Sequence, residues 1–259
     1  MNSVIEVIHN RKSVRAYEDK AVPQEVRDLI LKSAMRAPTA GNMMLYSILE
    51  VSDQETKNKL VETCDNQPFI AEAPLVLIFL ADYQRWYDYF MVSGVEQFCE
   101  EQGMPMVKPE EGDLFLACCD AIIAAQTAVI AAESMGVGSC YIGDILENYE
   151  IHKEMFDLPQ YAVPVCMVCF GYPSKEQKER ERTERFGEEF IVFKNQYRRL
   201  GEDEFKEMYS SMHERMMAGS VEVRDQRSVG IRMYKRKFSA DYSLEMRRSV
   251  RAILSAWSA

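Results

Sequence analysis

The sequence predicts an α+β or α/β sandwich, and three features carry that reading. Residues 75–81 and 162–170 are continuous apolar runs of strand length, as central strands covered on both faces require. Residues 114–135 are rich in alanine and apolar on nearly every side, the pattern of a central helix buried all round. Strands and helices then follow one another in mixed order, around four or five strands with long helical excursions. A chain of 259 residues fits one large domain, or one domain with an appendage.

Each element has a local cause. Val22, Val26, Leu29, Ile30 and Ala34 keep helical spacing across residues 22–35, with Pro23 in the first turn and Glu25 near the positive end. Pro38 lacks a donor and restricts the residue before it, so the helix stops there and residues 38–42 form a polar loop. A strand is expected over 46–51 and a helix over 53–64, followed by the turn Asp65-Asn66-Gln67-Pro68. After the strand at 75–81, residues 83–101 read as an aromatic-rich helix and 103–112 as a loop holding Pro105 and Pro109; this block is a candidate lid. Gly136 closes the alanine-rich helix, because glycine readily takes the left-handed cap conformation. Residues 137–142 are the next strand, ending at Gly143-Asp144, and a short helix around 145–155 leads to the strand at 162–170 and Gly171-Tyr172-Pro173. From Ser174 the chain is charged, 191–193 is a small apolar island, and 202–259 read as helices with little core of their own. No internal repeat is present.

Composition removes several function classes. An apolar fraction of 47% and a negative mean hydropathy are those of a soluble globular chain. The opening Met1-Asn2-Ser3-Val4-Ile5-Glu6 lacks a basic-then-apolar signal, which points to the cytoplasm. Asp120, Gln126 and Glu133 interrupt the alanine-rich helix, and a carboxylate near mid-bilayer costs about 2.5–3.5 kcal/mol, so no membrane span is expected. Seven cysteines at irregular spacing suit reduced thiols. Cys166 and Cys169 form a C-x-x-C, but residues three apart on a strand face opposite ways, and no metal site is expected. A net charge of −10 opposes nucleic-acid binding. Residues 227–251 nevertheless hold eight Lys/Arg against two Asp/Glu, a basic tail read as lying on an acidic surface of its own or a partner subunit.

No phosphate-loop, zinc-protease or nucleophile-elbow motif is present, and the histidines are only His9, His152 and His213, so hydrolase chemistry is not expected. The basic stretch Arg11-Lys12-Ser13-Val14-Arg15 stands out in an acidic chain. If it is extended, Arg11, Ser13 and Arg15 share one face over roughly 13 Å. Two guanidiniums flanking a hydroxyl suit a long, thin anion, although a solvated basic turn has the same sequence.

The order of motifs adds to this. R-x-S-x-R-x-Y, an amphipathic helix, A-P-T-A-G-N, Asn66-Gln67 ahead of a Pro-led apolar strand, "AAESMGVGSCYIG" and "FGYP" before a basic stretch together resemble the nitroreductase family of FMN-dependent oxidoreductases, over roughly residues 1–200. The resemblance implies an α/β/α sandwich with a mixed, mainly antiparallel central sheet in an intertwined homodimer, with FMN in two clefts at the interface. Arg11, Ser13 and Arg15 would hold the FMN phosphate, ribityl chain and pyrimidine edge from one subunit, while Pro38, Thr39, Ala40 and Asn42 would face the flavin from the other. Gln67 matches a residue that bonds the pyrimidine edge in one branch of the family. Tyr141, Ile142, Gly143 and Asp144 match the strand end that approaches flavin N5.

Relatives carry Lys-Pro-Arg after the last strand, whereas this chain has Arg180-Glu181-Arg182-Thr183-Glu184-Arg185; Arg182 and Arg185 are the expected phosphate partners. The implied chemistry is hydride transfer from NADH or NADPH through flavin N5 to a flat acceptor, such as a nitroaromatic or quinone, by alternating half-reactions. A flavin reductase, a reductive dehalogenase or a flavin carrier with little turnover are the alternatives. Trp86 to Phe90 would shape the acceptor pocket or pack on the partner. Residues 1–200 would form the FMN-binding domain, with an excursion at about 83–112, and 201–259 an arm wrapping the dimer.

Overall fold

The computed structural model describes residues 2–218 and 228–259, so residues 219–227 of the expected arm, including the first cation of the basic tail, lie outside the described residues. In chain order the elements are α1 (Ser3–Asn10), α2 (Gln24–Ala34), β1 (Tyr46–Val51), α3 (Gln54–Thr63), α4 (Phe69–Glu72), β2 (Leu75–Asp82), α5 (Gln84–Val92), α6 (Val95–Glu101), α7 (Glu111–Ser134), β3 (Gly138–Ile142), α8 (Tyr149–Met155), β4 (Ala162–Gly171), α9 (Lys175–Glu179), α10 (Glu202–Ala218), α11 (Val229–Met233) and α12 (Asp241–Trp257). They fall into two compact units, Met1–Arg182 with Glu245–Ala259, and Thr183–Leu244. These divisions differ from the boundary at residue 200 that composition suggests: most of α12 belongs with the first unit, where Ile253 and Trp257 are buried beside Tyr149 and Tyr161.

The first unit is built on a four-stranded sheet of order β1-β2-β4-β3, antiparallel at every pairing, which makes the fold α+β. Alternate residues of β2 and β4 feed two cores, as the two-residue period of a strand requires. Leu75, Leu77, Phe79, Val168 and Phe170 meet α2 and α7 on one face. Val76, Ile78, Leu80, Met167 and Cys169 meet Leu60 of α3 and Ile70 of α4 on the other. Cys166 lies in the first core and Cys169 in the second, on opposite sides of the sheet as their spacing predicts. The register shifts between Phe79 and Leu80, opposite Pro164, a residue with no N–H to give to a ladder.

Several expectations change. α1, capped by the Asn2 side chain on Ile5 N–H, was not foreseen. The aromatic excursion is two helices, because Gly94 takes a left-handed conformation with φ of 76° between α5 and α6. The largest correction concerns α7, which is not buried all round. Ala117, Ala121, Ala124, Ala128 and Ala132 are buried, but Phe115, Leu116, Ile122 and Ile123 are exposed at 69%, 44%, 49% and 39%. α7 is long and apolar enough to cross a membrane by length and composition. Its alanine face, however, packs on β2, β3 and β4, since side chains of one methyl allow close approach. Among the described residues, nothing covers its bulky apolar face.

Residues 13–18 lie across the end of the sheet. Val14 N–H donates to Ser139 O at 2.9 Å, Glu18 N–H to Tyr172 O at 2.8 Å, and Ser174 N–H to Ala16 O at 3.0 Å. Val14 is buried over Gly138, where an added Cβ would stand 2.5 Å from Val14 Cγ2. Val14, which points away from a face shared by Arg11, Ser13 and Arg15, thus fixes the position of this stretch. Gly138→Ala should therefore overpack this contact and destabilise the protein by about 1–3 kcal/mol, read as a lower urea midpoint.

Candidate functional site

The extended edge at residues 11–15 sorts its side chains by face. Ser13 makes a parallel bridge with Ser139 at the start of β3, so the stretch is extended there. Lys12 Nζ donates to Lys178 O at 2.7 Å and also to Arg180 O. Arg180 donates to Ser13 O, and Arg182 Nη1 donates to His9 O at 2.8 Å and Asn10 Oδ1 at 3.3 Å. Three cations are thus committed to fastening the segment after α9 onto residues 9–13. Arg11 and Arg15 differ: neither guanidinium is hydrogen-bonded or ion-paired to another described residue, and Arg15 lies 5.8 Å over the Phe69 ring.

Arg182 stands beside the edge, its Nη1 shared between His9 O and Asn10 Oδ1. Arg185 belongs to the second unit and donates to the carbonyls of Thr183 and Glu184. Arg180 was not among the expected residues, and its contact with Ser13 depends on a return of the chain that sequence spacing does not reveal.

Gln67 enters the same region from the turn after α3. Asp65 and Asn66 both take left-handed backbone, φ 55° and 49°, which short polar side chains tolerate, and this turn presents Gln67 toward the end of β3. Its Nε2 donates to Cys64 O at 3.1 Å and to Asp144 Oδ2 at 2.8 Å. Gly143 at the strand end has nothing within 4 Å of the position a Cβ would occupy. His152, fully buried, bonds Ile145 O at 3.0 Å and Thr63 Oγ1 at 2.8 Å, holding the 143–146 turn against α3. Arg11, Ser13, Arg15, Gln67 and the Tyr141–Asp144 strand end are brought together in one chain.

Glu133 and Tyr141 connect this edge to α7. Ser139 Oγ donates to Glu133 Oε1 at 3.1 Å, and burial raises the Glu133 carboxyl above its usual value while that bond opposes the shift. Tyr141 Oη donates to Gln126 Oε1 at 3.3 Å, and burial pushes its phenol up.

Pro38, Thr39, Ala40 and Asn42 occupy a separate place. Ala40–Asn42 is a single 3₁₀ turn with Gly41 and Asn42 at φ of 54° and 58°. Asp120, buried in the middle of α7, closes this loop: its Oδ1 accepts Ala40 N–H at 3.0 Å and its Oδ2 accepts Leu45 N–H at 3.1 Å. Trp86 Nε1 adds a bond to Met43 O at 2.7 Å, so the aromatic excursion is attached to the same loop. Among the described residues no hydrogen bond joins this loop to the 11–15 edge within one chain; along α7, Asp120 and Gln126 are about 9 Å apart at 1.5 Å per residue.

The site thus presents cations, a hydroxyl, an amide and backbone groups along one edge of an α+β fold. The chain belongs to the nitroreductase family, which it matches across residues 8–172. It is 34% identical over 184 residues to FMN reductase (NADPH) of Bacillus subtilis strain 168, covering 70% of each chain. It is 28% identical over 202 residues to the oxygen-insensitive NADPH nitroreductase of Salmonella typhimurium strain LT2, covering 78% of each. Among solved structures, that of B. megaterium NfrA2 is similar at a TM-score of 0.80 and 29% identity, over 100% of this chain and 98% of the other.

Asp120→Asn tests the loop anchor. An amide can accept only one of the two N–H groups and turns its own N–H toward the other, so stability should fall by about 1–3 kcal/mol. Hydrogen exchange at Ala40 and Leu45 should accelerate more than in the sheet; equal exchange at both amides would refute the anchoring role.

Proposed function

We propose that the protein is an FMN-dependent oxidoreductase that takes hydride from NADH or NADPH and passes it to a flat small-molecule acceptor, working as a homodimer. The observation that carries this reading is the pair of unpaired guanidiniums, Arg11 and Arg15, on either side of Ser13, in a protein whose other cations at that edge are committed to carbonyls. Guanidinium forks match phosphate and other oxyanions. The names of the relatives, an FMN reductase and an NADPH nitroreductase, support the same cofactors.

The residues present fit FMN. Arg11 and Arg15 supply guanidiniums not hydrogen-bonded to any described residue, although Arg11 also draws on the charge of the Glu133 carboxyl, while Ser13 supplies a hydroxyl for the ribityl chain and Gly143 open space where the strand end meets the ring. Gln67 meets the pyrimidine edge, and Arg182 stands at the phosphate end. Pro38, Thr39, Ala40 and Asn42 close the site from the second subunit, held in shape by that subunit's own Asp120 anchor. Bound FMN supplies the hydride acceptance and delivery, in two alternating half-reactions, and this is why the protein needs no nucleophile of its own. Arg15 at the pyrimidine edge stabilises negative charge that accumulates there.

The homodimer rests on the exposed face of α7. Phe115, Leu116, Ile122 and Ile123 form a stripe at helical spacing, and Val4, Ile5 and Ile8 of α1 are exposed as well. A contiguous apolar surface of this kind on a soluble chain marks a partner site. Seven free cysteines fit a reducing cytoplasm.

The purified protein should be yellow, release FMN on denaturation and bleach on anaerobic addition of NADH or NADPH; a colourless protein that refuses added FMN would overturn the reading. Arg15→Ala should weaken FMN binding about tenfold or more, measured by recovery of flavin fluorescence, since a charge-assisted hydrogen bond is worth about 1.5–3 kcal/mol. Ile122→Asp should give a monomer by analytical ultracentrifugation with lowered FMN affinity. A monomer that binds FMN as tightly as the parent would show that the cleft does not need the second subunit.

A further inference from the structure

Asp144 and Glu147 bracket the short turn after β3, and Glu147 lies behind Asp144 in the interior. Glu147 is only 5% exposed, and its Oε1 is buried with no hydrogen-bond partner. Its carboxyl lies against the carboxyl of Asp144, three residues back on the same turn, and its own N–H donates to Asp144 O at 3.0 Å. The ionisable groups that face it are Asp144 on the same turn, Asp65 from the turn after α3, and Glu245 from α12, with the Cys64 thiol and the His152 ring alongside. None is a cation that pairs with it among the described residues.

Two carboxylates cannot hydrogen-bond to each other without a proton, and an ionised carboxylate with one oxygen buried and unpartnered carries a large desolvation penalty. A neutral acid removes both problems: the unpartnered oxygen becomes a carbonyl, and the other carries the proton toward Asp144. Burial, followed by the charges of Asp144 and Asp65, pushes the Glu147 carboxyl up to about 8, in keeping with that geometry. Asp144 in turn accepts from Gln67 Nε2 at 2.8 Å, and Cys64 O takes the second amide hydrogen at 3.1 Å. With both hydrogens spent inward, what Gln67 has left for a ligand is its carbonyl oxygen.

We propose that Asp144 and Glu147 share one proton as a carboxylate–carboxylic acid pair, and that this pair orients Gln67 so that it meets the flavin as a hydrogen-bond acceptor, reading the ring's N3–H. Asp144 and Glu147 are positioning residues. The inference rests on the reading that Gln67 meets the pyrimidine edge of FMN, and it adds the polarity of that contact and the groups that enforce it.

The proton is tested without flavin. Difference infrared spectra of the FMN-free protein should contain a buried carboxylic-acid band at pH 7 that disappears in Glu147→Gln and, in the parent, is lost as pH rises through about 8. No such band at pH 7 would overturn the pair. The orientation is tested by binding FMN and N3-methylated FMN, which has no N3–H to donate. Asp144→Asn frees the amide to turn and should weaken FMN binding about tenfold while leaving the N3-methylated compound unaffected. Glu147→Ala should weaken FMN in the same sense, and Glu147→Gln, which can still donate to Asp144, should restore most of the loss. Equal weakening of both flavins by Asp144→Asn, or no weakening of either, would overturn this inference alone. A parent protein that binds no FMN would overturn the functional reading and the role of Gln67 with it.

Discussion

Three polar side chains on one apolar helix hold the candidate site together. Asp120 of α7 closes the 40–45 loop, Gln126 receives the Tyr141 hydroxyl, and Glu133 receives the Ser139 hydroxyl. They sit on the helix that also packs its alanine face against the sheet, so the same element that closes the core fixes the heights at which the site segments are attached. Burying Asp120 is tolerable because each carboxylate oxygen has a backbone N–H to accept, which offsets the loss of water. The other side of α7 carries larger apolar side chains, which are exposed. Sheet, loop and proposed dimer all depend on this one helix meeting different requirements on different faces.

Much of the fold was legible because its causes are local. The strands at β1, β2, β3 and β4 are marked by apolar runs between turn residues, and α2 and α3 by helical spacing and their caps. Pattern failed where the outcome depends on a neighbour far along the chain. Residues 114–135 show that a helix is apolar all round but not whether its second face is covered by the same chain, and here the bulky half is not. The same three polar residues that argue against a membrane span give no sign, in sequence, of what they hold. Within the site, alternation draws attention to Arg11, Ser13 and Arg15 and gives no sign of what Lys12 and Val14 do. The first binds carbonyls more than 160 positions away and the second fills the space left by Gly138. Asp144 was legible as a strand end, while its bond to Gln67 and its pairing with Glu147 required the folded chain.

The basic residues illustrate how little net charge says about role. Arg248, within the basic tail, forms a two-pronged bond to Glu150 at 2.8 Å for both contacts and a further pair with Glu245, so at this position the tail does lie on an acidic surface of its own chain. Lys178 pairs with Glu18. Exposed ion pairs of this kind are screened by solvent and position the chain more than they stabilise it. Against that background, Arg11 and Arg15, whose guanidiniums make no hydrogen bond to another described residue, are the informative ones.

The fastening of the segment after α9 has a consequence for how such a chain can change over evolutionary time. Lys12, Arg180 and Arg182 take hold of backbone oxygens at His9, Ser13, Lys178 and Arg180 itself. A carbonyl is present at every position whatever side chain stands there, so the residues that supply these acceptors are free to drift while the strap keeps its grip. The donors are not free in the same way. A lineage that rearranges the basic residues after the last strand can preserve the attachment as long as some long cationic side chain still reaches the same row of oxygens.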